Sequence, residues 1–224
     1  MNRHEKGTPV VIEKQSRDAA ARPHDAPVLA AVVLAAGTSS RMGEPKALLK
    51  YHGKTFIGAI LDKIYDSAID HAIVAVSPTG TKILDSIDIT RTSVVYNKAN
   101  KAAGPIESIR PAVSFCVNHM VEYLLVWPVD QPHIMPNTIS TLINRATAQR
   151  PAIAVPRFRG IRGHPVLFSR AIFPELLSSL ADQGARNIVL RVPDRVAEIE
   201  VEDRAVLEDI DTPDDYQELL RSSC

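Results

Sequence analysis

The chain has 224 residues, enough for one α/β domain of ordinary size whose core needs no covalent staples. Its 26 basic and 26 acidic residues cancel, so the overall field selects neither nucleic acid nor a membrane surface as partner. No apolar run reaches the roughly 18 residues of a membrane span, the N-terminus lacks a signal-peptide core, and Cys116 and Cys224 form neither a C-x-x-C pair nor a zinc pattern, so the expected compartment is a reducing cytoplasm.

In chain order, residues 1–27 mix charges with Pro23 and Pro27 and offer only Val10, Val11 and Ile12 as an apolar group. That is too little to offset the entropy of ordering, so a disordered tail is expected, the alternative being an arm that docks on a partner subunit. Residues 28–224 read as one domain. Residues 28–33 are a continuous Val/Ala run, the pattern of a strand buried on both faces of a parallel sheet. The stretch L-A-A-G-T-S-S-R-M-G-E-P-K, residues 34–46, leaves its carboxyl end, where open α/β sheets bind ligands. Gly37 and Gly43 allow close backbone approach to an anion, Arg41 supplies a planar fork for phosphate, and Lys46 supplies a mobile point charge. The loop has neither the G-K-[ST] ending of a P-loop nor the G-x-G-x-x-G of a dinucleotide fold. Read without any ligand, it is a surface connection with solvated basic residues.

L-A-A-G-x-S-x-R-M-G-x-P-K resembles the signature of the small nucleotidyltransferases that attach a nucleoside monophosphate to a phosphorylated acceptor, especially the molybdenum cofactor cytidylyltransferases. The resemblance implies a single doubly wound, mostly parallel, Rossmann-like sheet of the nucleotide-diphospho-sugar transferase type, with an antiparallel edge. It implies nucleotide contacts from Leu34, Ala35, Ala36, Gly37, Ser39, Arg41 and Lys46, with Arg41 and Lys46 catalytic on the triphosphate. It also points to CTP, because the related guanylyltransferases usually carry a second glycine where Ala36 stands and a D-K pair where Pro45 and Lys46 stand.

Thr55 is placed to cap a crossover helix with Phe56, Ile57, Ile60, Leu61 and Ile64 at helical spacing, and Leu48 and Leu49 share the pattern. Residues 72–76 are a second buried strand, 82–87 a short helix and 93–96 a third strand. This β-α-β-α-β order predicts right-handed crossovers on a parallel sheet. Asn97 closes the third strand, and a helix opens after Gly104, with Pro105 suited to its first turn. The family pattern implies nucleotide contacts from Asn97, Gly104 and Ser108; from the residues alone Asn97 is equally a turn residue.

Residues 123–130 form an apolar strand that ends in a carboxylate, Asp130, delivered to the same crevice as the first loop. One carboxylate plus triphosphate oxygens is the usual way to hold Mg²⁺; the alternative is that Asp130 caps the helix over 136–149. Trp127 reads as core. Residues 152–156 are a further strand, and Arg157, Arg159, Arg162 and His164 crowd the loop that follows, before a strand beginning at His164–Pro165 that pairs antiparallel with 152–156. The family's G-x-R-G-H-P-V-x-F segment implies that Arg162 and His164 line the acceptor pocket, against a plain basic turn. After a helix over 171–180, the D-x-G-A-R step 182–186 reads as a turn whose Arg186 either meets the acceptor's phosphate or caps a helix by charge. Residues 196–201 alternate as an edge strand, and Thr212 with Asp215 makes a capping-box start, leaving Asp211 either as a second metal ligand or as part of the cap.

The expected activity is therefore Mg²⁺-dependent transfer of CMP from CTP to a molybdopterin-type phosphorylated acceptor carrying molybdenum, with a molybdenum hydroxylase as possible client. The neighbouring alternative is cytidylyl transfer to methylerythritol phosphate or a sugar phosphate; the G-H-P-V-L-F segment favours the former. From other classes come a binding or delivery module without chemistry, and an oxidoreductase, which the missing dinucleotide fingerprint disfavours.

Overall fold

A computed structural model describes residues 11–12, 26–37, 42–97, 104–178 and 184–222. The elements run β1 (Val11–Ile12), β2 (Leu29–Leu34), β3 (Lys50–Tyr51), β4 (Lys54–Thr55), α1 (Phe56–Tyr65), β5 (His71–Val76), α2 (Thr81–Leu84), β6 (Thr92–Tyr96), α3 (Ile106–Asn118), β7 (Tyr123–Pro128) and α4 (Pro136–Gln149). They continue with β8 (Ile153–Phe158), β9 (Ile161–Arg162), β10 (Val166–Ser169), α5 (Phe173–Ser178), α6 (Gly184–Arg191), β11 (Val196–Glu200) and α7 (Pro213–Ser222).

Nine strands share one sheet in the order β1-β6-β5-β2-β7-β10-β8-β11, with β9 on β8. The ladders β6-β5, β5-β2 and β2-β7 are parallel, so all four strands end on one edge. β11 pairs parallel with β8. Antiparallel pairing occurs at β1, at β9 and at β10, which runs between β7 and β8 and matches Leu167 to Ala154. The two-residue strand β1 lies inside the span read as a tail, with Val11 opposite Val95.

The apolar run of β2 is explained by its two faces. Leu29, Ala31 and Val33 pack with residues of α1, α4 and α7, whereas Ala30 and Val32 pack with residues of α3, α5 and α6. A period of two inside a strand that is apolar throughout is what burial on both sides requires. Each such Val side chain contributes about 1.5–3 kcal/mol on leaving water. Trp127 is fully buried between these layers and is core.

Three local readings change. Leu48 closes a single 3-10 turn and Leu49 an extended link rather than joining α1, because the β3–β4 hairpin intervenes, turning at His52 and Gly53 with positive φ values of 49° and 77°. The helix expected over 171–180 is a 3-10 turn, Arg170–Ile172, running into α5, and residues 179–183 lie outside the described residues. Arg186 stands in the first turn of α6, not in a turn before it. No helix among the described residues is long and apolar enough to cross a membrane.

Candidate active site

Leu34 lies in register with Pro128, so the loop that starts at Ala35 runs beside the segment carrying Asp130. The Ala35 N–H donates to the Ala75 carbonyl at 2.9 Å, which carries the sheet one residue further, and Ala36 and Gly37 follow at the strand ends. Ser39 and Arg41 lie outside the described residues. Gly43 then turns the chain at φ 73°, and Lys46 opens the 3-10 turn Lys46–Leu48.

The Lys46 Nζ donates to Asp130 Oδ2 at 2.9 Å and to Asp211 Oδ1, drawing together residues far apart in sequence. Its side chain is only 12% exposed. Burial pulls the ammonium's pKa down, but the hydrogen bonds and charges of Asp211 and Asp130 together outweigh it, so the pKa is raised and the group stays charged.

Neither aspartate is spent on a helix cap. α4 starts at Met135 with no side-chain cap, and the Met135 N–H donates to Asp203 instead. At α7 the cap is reciprocal: Asp215 Oδ2 accepts from the N–H groups of Asp211 and Thr212 at 3.0 and 2.7 Å, and the Asp215 N–H donates to Thr212 Oγ1 at 3.2 Å. The Asp211 carboxylate is thereby left to face Lys46. The Ile210 N–H donates to the Asp130 carbonyl at 3.0 Å, fastening the two acidic segments to each other.

These residues fit a hard divalent cation. Asp130 and Asp211 converge on one point, and Asp130 Oδ1 is buried with no hydrogen-bond partner, an acceptor that needs a donor or a cation. Among the described residues no three His, Cys, Asp or Glu side chains make a complete cage, so water and phosphate oxygens would have to complete the shell.

Three strands from β7, at the end of β6, Asn97 Nδ2 donates to Ser108 Oγ at 3.0 Å, and Gly104 sits at φ 67° just before α3. These three residues form one group on the same edge of the sheet as Asp130.

On the other side, the Gly163 N–H donates to the Pro156 carbonyl and the His164 N–H to the Val206 carbonyl, both at 2.9 Å. A Cβ on Gly163 would stand 2.2 Å from Val206 O, so only glycine allows this approach. His164 is exposed; desolvation lowers its pKa, and the charge of Asp130 opposes that. Arg162 goes elsewhere, its Nε donating to Glu198 at 2.7 Å on β11, a carboxylate shared with Arg157 and held below its ordinary pKa by both arginines. Arg186 is exposed on α6.

Two residues of the site were not singled out from sequence. Gln131 is 1% exposed and donates to Asp209 Oδ1 at 2.9 Å. Asp209 has its pKa raised by desolvation and by the charges of Asp130 and Asp211. The alternation Asp209-Ile210-Asp211, with Ile210 buried, was the available signal: it puts both acids on one side.

A doubly wound sheet whose strand ends gather a lysine and two aspartates is the frame of a nucleotide-handling α/β transferase. Residues 31–196 match the family described as MobA-like NTP transferase domain, and the chain belongs to that family, whose members are nucleotidyltransferases. It is 28% identical over 206 residues to the purine catabolism protein PucB of Bacillus subtilis and 26% identical over 205 residues to nicotine blue oxidoreductase of Paenarthrobacter nicotinovorans, each match covering 88% of this chain and 98% of the relative. It is 26% identical to the molybdenum cofactor cytidylyltransferase of Escherichia coli, over 83% of this chain and 92% of that one. Among solved structures, Rv0371c of Mycobacterium tuberculosis in complex with manganese superposes with a TM-score of 0.73 at 32% identity, covering 87% of this chain and 99% of that one.

Proposed function

We propose that the protein transfers CMP from CTP to a phosphorylated acceptor, with molybdenum-bearing molybdopterin as that acceptor, and releases pyrophosphate. The observation that carries the reading is the Lys46 ammonium held between Asp130 and Asp211 at the carboxyl edge of the sheet. An acceptor phosphate oxygen attacks the α-phosphorus in line; the new P–O bond forms as the bond to the bridging oxygen of the β-phosphate breaks, and pyrophosphate leaves with that electron pair. No protein nucleophile is required. Positioning and charge neutralisation do the work.

Asp130 and Asp211 would hold one divalent cation, taken as Mg²⁺, which when bound supplies charge neutralisation and a template for the triphosphate. The relative that forms a manganese complex supports a divalent site. Lys46 neutralises the same carboxylates in the arrangement described above and, as a mobile point charge, is available to follow the reacting phosphate. Arg41 joins it on the triphosphate. Leu34, Ala35, Ala36, Gly37, Ser39, Asn97, Gly104 and Ser108 form the nucleotide side. His164 lines the acceptor side together with Arg186, and Arg162 joins them only on leaving Glu198. The E. coli relative supports cytidylyl transfer and this acceptor; a molybdenum hydroxylase is the client such a product would serve.

The name of the Paenarthrobacter relative favours a second reading, oxidoreduction. A pyrophosphate-release screen with CTP, GTP, ATP and UTP, with and without molybdenum cofactor, separates the two. Release with CTP and cofactor is expected, and Lys46→Ala should lower kcat by about 10²–10³-fold. Wild-type turnover in that variant would refute the role of Lys46; no release with any pair would refute transfer.

A further inference from the structure

Beneath the two carboxylates lies a second set of charged groups that the transfer reading does not use. Lys63, in the last turn of α1, sends its Nζ to the carbonyl of Pro132, two residues beyond Asp130. His133 follows, 9% exposed at its side chain, with Nε2 3.4 Å from Glu208 Oε2. Asp203 is buried and accepts from the Met135 N–H at 2.8 Å, Thr138 Oγ1 at 2.7 Å and the Ala205 N–H at 3.1 Å. Asp203 and Glu208 belong to the segment that runs directly into Asp209 and Asp211. The loop between β7 and α4 and the segment before α7 are thus tied to each other, and Lys63 ties the first of them, through Pro132, to the helix that follows the Lys46 loop.

We propose that Lys63 is a positioning residue for nucleotidyl transfer, holding Asp130 in place through the Pro132 carbonyl, with its charge also facing Asp203 on the segment that leads to Asp211. The proposal rests on the reading of Asp130 and Asp211 as the metal-binding carboxylates. A lysine is a costly choice for packing alone, because removing an ammonium from water is penalised unless its charge is used. Lys63 lines a groove of 290 Å³ between the β3–β4 hairpin, α1 and the start of α4. Burial pulls its pKa to about 8, with Asp203 opposing. The other titratable groups around it are Tyr51, His52 and Lys54 on the hairpin and Asp62 and Asp66 on α1. His133 faces it from the β7–α4 loop, Asp203 from the segment before α7, and Glu208 reaches it through His133. Loss of the proton replaces a charge-assisted bond to Pro132 with a weaker neutral one.

Unfolding has the opposite sign. Between pH 8 and the ordinary value of 10.5 the unfolded chain holds a proton that the folded protein has lost, so this group's contribution to stability rises with pH through that window. An alkaline loosening of the loop therefore does not come from this group's own contribution to global stability, which runs the other way.

The test uses Trp127, the single tryptophan, whose Nε1 donates to the Gln131 carbonyl at 3.1 Å within the same loop. Trp127 emission is followed from pH 6.5 to 9.5 in the full-length wild type, Lys63→Met and Lys63→Arg, together with Mn²⁺ binding by electron paramagnetic resonance. The wild type is expected to change emission with a midpoint near pH 8; Lys63→Met should show the alkaline form throughout and Lys63→Arg the neutral form. Lys63→Met should bind Mn²⁺ about tenfold more weakly at pH 7 and lose about tenfold in kcat with the KM for CTP unchanged, and Lys63→Arg should restore both. A flat wild-type emission, or the same titration in Lys63→Met, overturns the proposal. If Lys63→Met does not fold, the wild type and Lys63→Arg decide it. Absence of pyrophosphate release with the emission change present would sink the transfer reading, and with it the role of Lys63 in transfer, leaving only its hold on the loop that carries Asp130.

Discussion

Gly163 is the residue whose missing side chain shapes the acceptor side most directly. The contact a Cβ would make is with a backbone oxygen, Val206 O, and no rotamer change relieves it. Gly163→Ala must therefore push the turn before β10 away from the 3-10 turn Arg204–Leu207, at a cost of about 1–3 kcal/mol. A fall of several degrees in Tm by calorimetry is expected, with the KM for the acceptor rising more than that for CTP because the His164 N–H loses its Val206 carbonyl. An unchanged Tm would show that the turn can shift freely. The same scale explains the aspartates: Asp215 and Thr212 satisfy the start of α7, so Asp211 keeps its carboxylate for Lys46.

At the scale of elements, Asp203 joins two pieces of the site that belong to different stretches of chain. It accepts two backbone N–H groups and one hydroxyl, serving the first turn of α4 and the 3-10 turn Arg204–Leu207 at once. Asp203→Ala orphans these donors in a buried place and should destabilise the protein by about 1–3 kcal/mol. Amide hydrogen exchange should show the loss concentrated in the first turn of α4 and around Ala205, with the β2 and β7 amides protected as before. Uniform deprotection would mean that Asp203 supports the whole fold and not this junction.

For the whole molecule, the sheet ends at β11, and its far edge is where copies could pair. Glu198 and Glu200 point charge along that strand and hold Arg157 and Arg162. Charges on an edge strand discourage a second chain from adding to it. Replacing both glutamates by valine raises strand propensity while removing that barrier, so self-association by light scattering should rise with protein concentration more steeply in the double variant than in the wild type. The network also gives Arg162 a partner, so salt that screens exposed pairs should free its guanidinium more readily than that of a buried arginine.

Much of this arrangement is local information and was legible in the residues. The apolar run of β2, the carboxylate closing β7, the cap at Thr55 and the capping box at Thr212 each follow from a few neighbouring side chains, and the β-α-β-α-β order of the first half follows from the alternation of elements. The loop that starts at Ala35 is likewise expected beside Asp130, and the register of Leu34 with Pro128 puts its start there. What the sequence could not contain was distance across the fold. Whether Asp211 serves a cap or faces Lys46, whether Arg162 points to an acceptor or to Glu198, and why Gly163 must be glycine depend on segments between 36 and 165 residues apart meeting in space. Hydrophobic pattern and capping are set by the chain's own period, but the pairing of charges is set by which strand ends the topology brings together, and only the tertiary structure decided that.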